Sequence, residues 1–380
     1  MRGEAEQGET EPMWTMPGEG PTSSGPTVAQ GPRVRAAGRV AFAGVLAASL
    51  VLGASACGSS TTAAKPAVAT ARSGTRAKKV SGTANVAFAG SLELLDDHVI
   101  GPAFSAATGY AYEGRGGGSY GVAHEIEAGE LTPGVFESIG AGPIDLLEPK
   151  FTRWYVQVAA SPIVVAYDPK TPFAPELRAI AEGKRPLSDL FALMEAPGFH
   201  LGRTNPDTDP QGQAFYEMVE LAAARYHLRS GTVAKVLGGL ENPSEVFAET
   251  ALESRLEAGQ LDAASAFLSQ AVQLHLPYVA LPAAIDFGDP GLATSYARAT
   301  LRLTDGQVVH GVPLVVDATV LGSPRIGVQS RAAATAFVAY LLSAAGRKDF
   351  SAGGYHLLTP TLVGDTGSVP AAIRHAVGRS

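Results

Sequence analysis

From Asn85 onward the spacing of apolar residues changes period several times. Asn85–Ala89 (NVAFA) is a short apolar run; Gly90-Ser91 follows, and Leu92–Thr108 has helical spacing. Tyr110–Glu113 is a second short run, Gly114–Ser119 (GRGGGS) a glycine-rich turn, and Tyr120–Ala128 is helical again. Strand, Gly/Ser turn and helix therefore occur twice in succession, a βαβα opening that implies parallel strands. Ile144–Leu147 predicts a third strand. Trp154–Ala166 is a long apolar strand region interrupted at Pro162, the form expected of a chain crossing between two lobes. Pro186–Met194 predicts a helix. Asn242–Ala258 predicts another, stopped by Gly259, and Leu261–Leu274 is apolar. Tyr278–Leu281 reads as a strand, Gln307–Val316 as a strand pair or one bent strand, and Arg331–Ala345 as an apolar helix ending at Gly346. The pattern predicts an α/β protein of two lobes, the first over residues 83–161 plus 283–380 and the second over 162–282.

One stretch organises the rest. Leu201–Arg203 reads as the end of a strand, Asn205-Pro206 as a turn, and Asp209-Pro210 as a helix start with Asp209 at N-cap and Pro210 at the first helical position. Phe215, Met218, Val219, Ala222 and Ala223 then carry the apolar face of a helix to about Tyr226. The backbone N–H groups of Gln211, Gly212 and Gln213 fall in its first turn, where free donors and the helix dipole favour an anion. Gly212 adds no side chain to obstruct the approach.

The chain has 380 residues, 46% of them hydrophobic and 17% charged, which is enough for two lobes with real cores. With a formal net charge of −7, nothing in the composition suggests nucleic-acid binding, which calls for a basic patch. Arg33, Arg35 and Arg39 precede an apolar run, Val40–Leu52, that ends in small residues and Cys57. This is the layout of a secretory signal, too short and Ala-rich for a membrane span. Cys57 is the single cysteine, so there is no disulfide framework. Leu52-Gly-Ala-Ser-Ala-Cys57 resembles a bacterial lipobox, which implies acylation of Cys57 and an extracytoplasmic, membrane-anchored protein. Ala54 stands where such motifs usually carry Leu. Residues 1–57 thus read as a signal with a possible upstream extension, and 58–82, rich in Ser, Thr, Ala and Lys, as a flexible tether.

With these pieces in order, the chain resembles the type II periplasmic solute-binding proteins of ABC importers, and within them the archaeal-type molybdate/tungstate-binding branch. The segments that carry the resemblance are AGSL (Ala89–Leu92), GGGS (Gly116–Ser119), WYVQVAASPIVVAY (Trp154–Tyr167), NPDTDPQG (Asn205–Gly212), LEAGQLD (Leu256–Asp262) with Ser269 following, and YVALPAAIDFGDP (Tyr278–Pro290). The resemblance implies a monomer that binds a small tetrahedral oxyanion between two lobes and delivers it to a permease, with no catalytic activity. It also implies that Phe267 and Ser269 lie at the ligand. The tungstate-binding relatives add two carboxylates to the oxyanion's metal centre. One maps to Asp209, with Asp207 as the other choice. The second falls on Ala266, and the aromatic after it, usually Tyr, falls on Phe267. Six-coordinate binding through two carboxylates is therefore not what this sequence predicts. A plain tetrahedral oxyanion, or a different anion, fits it better.

Ser91 and Ser119 each follow a strand and open a helix. A serine there either caps the helix or turns its hydroxyl to a ligand beside the helix N–H groups. Together with the helix start at Asp209 they would form a three-sided cradle of neutral donors for an anion. Arg115 and Arg203 are candidates for positive charge near the cleft. Gly116–Gly118 would permit close backbone approach or positive φ, and with no Lys-Ser/Thr following they are not a P-loop. The competing reading is a serine hydrolase, because Gly117-Gly-Ser119-Tyr-Gly121 fits G-x-S-x-G between a strand and a helix, with His310 or His356 as base. Against it, a single strand–helix unit precedes the motif and no HGGG-type oxyanion segment is present. The eight His show no HExxH or tight metal spacing.

Overall fold

The computed structural model describes residues 81–379. Cys57, the signal segment and the tether up to residue 80 lie outside the described residues. The strands, in chain order, are β1 (Thr83–Ala89), β2 (Ala111–Gly117), β3 (Val135–Ile139), β4 (Trp154–Ala160), β5 (Ile163–Tyr167), β6 (Leu201–Gly202), β7 (Ala263–Phe267), β8 (Tyr278–Val279), β9 (Thr300–Arg302), β10 (Val308–His310), β11 (Val315–Val320) and β12 (His356–Gly364). One sheet has the order β12-β4-β11-β3-β1-β2, a second β6-β7-β5-β8, and β9 and β10 form a separate hairpin. The protein is an α/β fold of two lobes, each built on its own sheet, as the type II class implies.

The βαβα opening is as the periodicity predicts. β1 pairs in parallel with β2 on one side and β3 on the other. β1 is buried on both faces except near its start, as a central strand flanked by crossover helices must be. The glycines of the GRGGGS stretch serve close packing. A Cβ at Gly116 would lie 2.8 Å from the Phe88 ring on the neighbouring strand, and one at Gly118 only 2.6 Å from the Thr208 carbonyl oxygen. None of Gly116–Gly118 has positive φ.

β4 ends in the first sheet at Ala160 and β5 opens the second at Ile163, so the chain passes from one to the other at Ser161-Pro162. It re-enters the first sheet at β11, which lies antiparallel between β3 and β4. The first lobe's core centres on Phe104, whose ring meets Phe337 edge-on at 5.2 Å. In the second lobe the helix Pro210–Tyr226 buries Phe215, Met218, Val219 and Ala222, the apolar face its spacing predicts.

Several elements differ from expectation. Ile144–Leu147 is no strand. Pro143, at the start of a short helix Gly142–Asp145, sets helical φ there, and the third strand is Val135–Ile139. Asn242–Ala258 is helical only from Glu249 onward. Leu261–Leu274 splits into β7 and the helix Leu268–Gln273. Gln307–Val316 contributes to two different sheets, β10 to the hairpin and the start of β11 to the large sheet. The last apolar helix runs Val328–Leu341, and a second helix, Ala344–Ala352, follows it.

Candidate functional site

The carboxyl end of β1 turns through Gly90–Leu92, and this turn holds Ser91 in the interior, 2% exposed. The Ser91 N–H donates to Glu249 Oε1 at 2.8 Å, and the Ser91 carbonyl accepts from the Tyr355 hydroxyl at 3.0 Å. Ser91 Oγ is buried, with no partner in strict hydrogen-bond geometry among the described residues, though it lies near enough to the Glu249 carboxyl to favour its charged form. Ser119 is the first residue of the helix Ser119–Ala128 and is fully buried. Its Oγ accepts the Ile139 N–H at 3.2 Å, which ties the helix start to the end of β3 and leaves the hydroxyl proton free to donate. Neither serine caps its helix through its side chain.

Asp209 does cap. Its backbone is extended and its Oδ1 accepts the Gln211 N–H at 2.8 Å, with Pro210 at the first helical position. Its Oδ2 is buried, and the carboxyl lies within reach of Thr204 and Glu249. Burial pushes the Asp209 carboxyl up to about 7, and hydrogen bonding from Gln211, Thr204 and Glu249 offsets only part of that rise. Glu249, the first residue of the helix Glu249–Glu257, lies beside it. Burial, then the nearby Asp209 and Glu253, push the Glu249 carboxyl well above the usual range. Glu253, one turn on, is pushed up to about 7, first by burial. Two adjoining buried carboxyls that do not both ionise hold a proton between them near neutral pH.

The remaining predicted residues are placed as follows. The Gln211 side chain turns into the second lobe, where its Oε1 accepts from Ser265 at 2.7 Å and its Nε2 donates to Gln270 at 3.0 Å. Gly212 is where the helix abuts the preceding turn: a Cβ there would lie 2.6 Å from the Thr204 carbonyl oxygen. Its openness serves that contact rather than a ligand approach. Phe267 ends β7 opposite Ile163, its ring in the core. Ser269 donates its N–H to Ser161 Oγ at 3.0 Å and accepts from the same hydroxyl at 3.1 Å, at the crossing between the sheets. Ala266 packs in an apolar cluster with Leu252 and Leu256. Asp207 binds the Thr304 N–H through Oδ1 at 2.9 Å.

Neither arginine supplies cleft charge in a simple way. Arg203 is fully buried and donates to the carbonyls of Leu237, Gly239 and Leu240 at 2.9, 2.6 and 3.1 Å, clamping the loop that leads to Glu249. Arg115 lies on the rim, paired with Glu125 at 2.6 Å. A cavity of about 370 Å³ lies between the glycine-rich stretch of the first lobe and Thr208, Asp209 and Phe247–Thr250 of the second. Across it the Gly121 N–H donates to the Thr208 carbonyl at 3.1 Å. Among the described residues no hydrogen bond links Ser119 to a histidine, and His310 lies against the Ala297 carbonyl. Asp209 and Glu249 line this cavity, Ser91 reaches Glu249 through its amide, and neither Ser91 nor Ser119 is among the lining residues. Glu249, Thr204 and Tyr355 are absent from the sequence-predicted set; a glutamate opening a helix was the one available signal, and the predicted helix over Asn242–Ala258 hid it.

The sequence profile of the family described as bacterial extracellular solute-binding protein matches residues 84–356. The chain belongs to that family. As a solute-binding protein it stands in a class of transport proteins rather than enzymes, which leaves the hydrolase reading without support. A relative from Haloferax volcanii, provisionally named an ABC transporter molybdenum-binding protein, is 32% identical over 237 residues, covering 62% of this chain and 72% of the relative. The molybdate/tungstate-binding protein of Pyrococcus abyssi is 27% identical over 251 residues, covering 61% and 70%. Among solved structures, the periplasmic molybdate-binding protein of Azotobacter vinelandii superposes with a TM-score of 0.47 at 16% identity, covering 72% of this chain and 99% of that one.

Proposed function

We propose that this solute-binding protein is the lipid-anchored, extracytoplasmic receptor of an ABC importer, a monomer that takes a small tetrahedral oxyanion between its lobes and passes it to a permease. Molybdate or tungstate is the first choice of ligand, on the names of the relatives. The observation that carries the reading is the buried Ser91 Oγ at the junction of the lobes, which has no partner in hydrogen-bond geometry among the described residues. Buried polar atoms cost free energy unless something pairs with them, and a ligand that enters the junction supplies the pairing. Ser91 and Ser119 donate O–H to the anion's oxygens, and the start of the helix Pro210–Tyr226 adds its dipole. Asp209 and Glu249 are tolerated next to an anion because they hold a proton between them.

A thermal-shift panel of molybdate, tungstate, sulfate and thiosulfate tests this, since ligand that binds only the native state raises apparent stability. At a ligand concentration 100 times Kd the gain is about 2.7 kcal/mol. Absence of a shift with every member of the panel would remove the oxyanion reading.

A further inference from the structure

Glu249 takes part in a contact that no reading of the cradle requires. It belongs to the second lobe: its helix packs Leu252 and Leu256 on Ala264 and Ala266 of β7. Ser91 belongs to the first lobe, at the end of β1. The 2.8 Å bond from the Ser91 N–H to Glu249 Oε1 therefore spans the cleft and joins residues 158 apart in the chain. The approach depends on Gly90, where a Cβ would lie 2.6 Å from Glu249 Oε2 and 2.9 Å from its carboxyl carbon. Glu249 is itself 4% exposed.

We propose that Glu249 is a positioning residue that latches the two lobes together through the Ser91 amide, so that the closed cleft is held partly by the protein's own groups. The Ser91 hydroxyl remains for the anion while its amide serves the latch. The inference rests on the solute-binding reading and adds to it a residue and a task. Removing the acceptor oxygen unties the lobes, and the anion must then supply the full free energy of closing. A hydrogen bond from an amide to an uncharged carboxyl corresponds to about two- to tenfold in affinity.

The test uses Glu249→Ala, Glu249→Gln, Gly90→Ala and the double variant Gly90→Ala/Glu249→Ala. Each is measured by small-angle scattering without added anion and by molybdate affinity and dissociation rate. Gly90 is not at positive φ, so alanine fits its backbone and the flexible glutamate end must yield. Glu249→Ala should enlarge the radius of gyration, speed dissociation and weaken molybdate binding about two- to tenfold. Glu249→Gln keeps an acceptor oxygen for the Ser91 N–H and should keep the parent's radius of gyration. Gly90→Ala should reproduce Glu249→Ala, and the double variant should be no worse than either single one, since both remove the same bond. Tighter molybdate binding in both Glu249 variants would overturn the latch and make the carboxylate a competitor of the anion. Unchanged scattering and kinetics in Glu249→Ala would overturn it as well. If the parent protein binds no molybdate, the oxyanion reading fails by itself, and scattering of the same variants still decides the latch.

Discussion

Asp209→Asn separates the tasks of the carboxyl that caps the organising helix. Asparagine caps as well as aspartate, so the bond from the Gln211 N–H at 2.8 Å survives and the helix start costs little. What leaves is a titrating group. In the unfolded chain an aspartate loses its proton near pH 3.9; in the fold Asp209 keeps it to about 7. Between those values the folded state binds more protons than the unfolded state, so wild-type stability falls as pH rises through this window. Below pH 4 the contribution is nil, and above pH 7 the penalty reaches about 4 kcal/mol as an upper bound. Coupling to Glu249 shares that penalty between two residues, so a difference of about 2–4 kcal/mol is the expectation. Urea denaturation at pH 5 and pH 8 reads it directly. Wild type should lose stability over this interval, and Asp209→Asn should lose much less and be the more stable protein at pH 8. Parallel losses in the two proteins would refute the buried-carboxyl argument. With the cap intact and one negative charge gone, molybdate affinity should hold or improve. A large loss for tungstate with sulfate unchanged would instead mean that Oδ2 reaches the metal of the oxyanion.

Ser91→Ala and Ser119→Ala should each weaken molybdate binding about ten- to 150-fold in calorimetry. Ser119→Ala should also cost about 1–3 kcal/mol of stability, because it strands the Ile139 N–H, whereas Ser91→Ala removes a hydroxyl with no partner in strict hydrogen-bond geometry and should not. Arg203→Met should destabilise by about 3 kcal/mol or more in denaturant titration, since it abandons the carbonyls of Leu237, Gly239 and Leu240 and leaves Glu245 without its cation. Cys57→Ser should release or misprocess the protein; absence of acyl mass on Cys57 in the wild type would refute the anchor.

The elements legible in the sequence are those whose signals are local. β1, the helix Ser119–Ala128 and the Asp209 cap are encoded by neighbours within one turn or one strand of each other, where period, glycine and proline act directly. The same locality misled at Ile144–Leu147, where apolar residues suggest a strand and Pro143 begins a helix. β3 is hidden because two of its residues, Glu137 and Ser138, are polar yet fully buried, and burial beside Asp96 pushes the Glu137 carboxyl well above its usual range. The site divides in the same way. Ser91, Ser119 and Asp209 stand at strand-to-helix turns, a position any reader of the chain can find. Whether Ser91 Oγ is free, whether Gln211 faces the cleft or Gln270, and whether Arg203 is a surface charge or a buried clamp are settled by which segments fold against them. Glu249 is the clearest case. In sequence it is one acidic residue in an acidic stretch. Only packing of its helix on β7 carries it across the cleft to Ser91, because a hydrogen bond between residues 158 apart has no local signature.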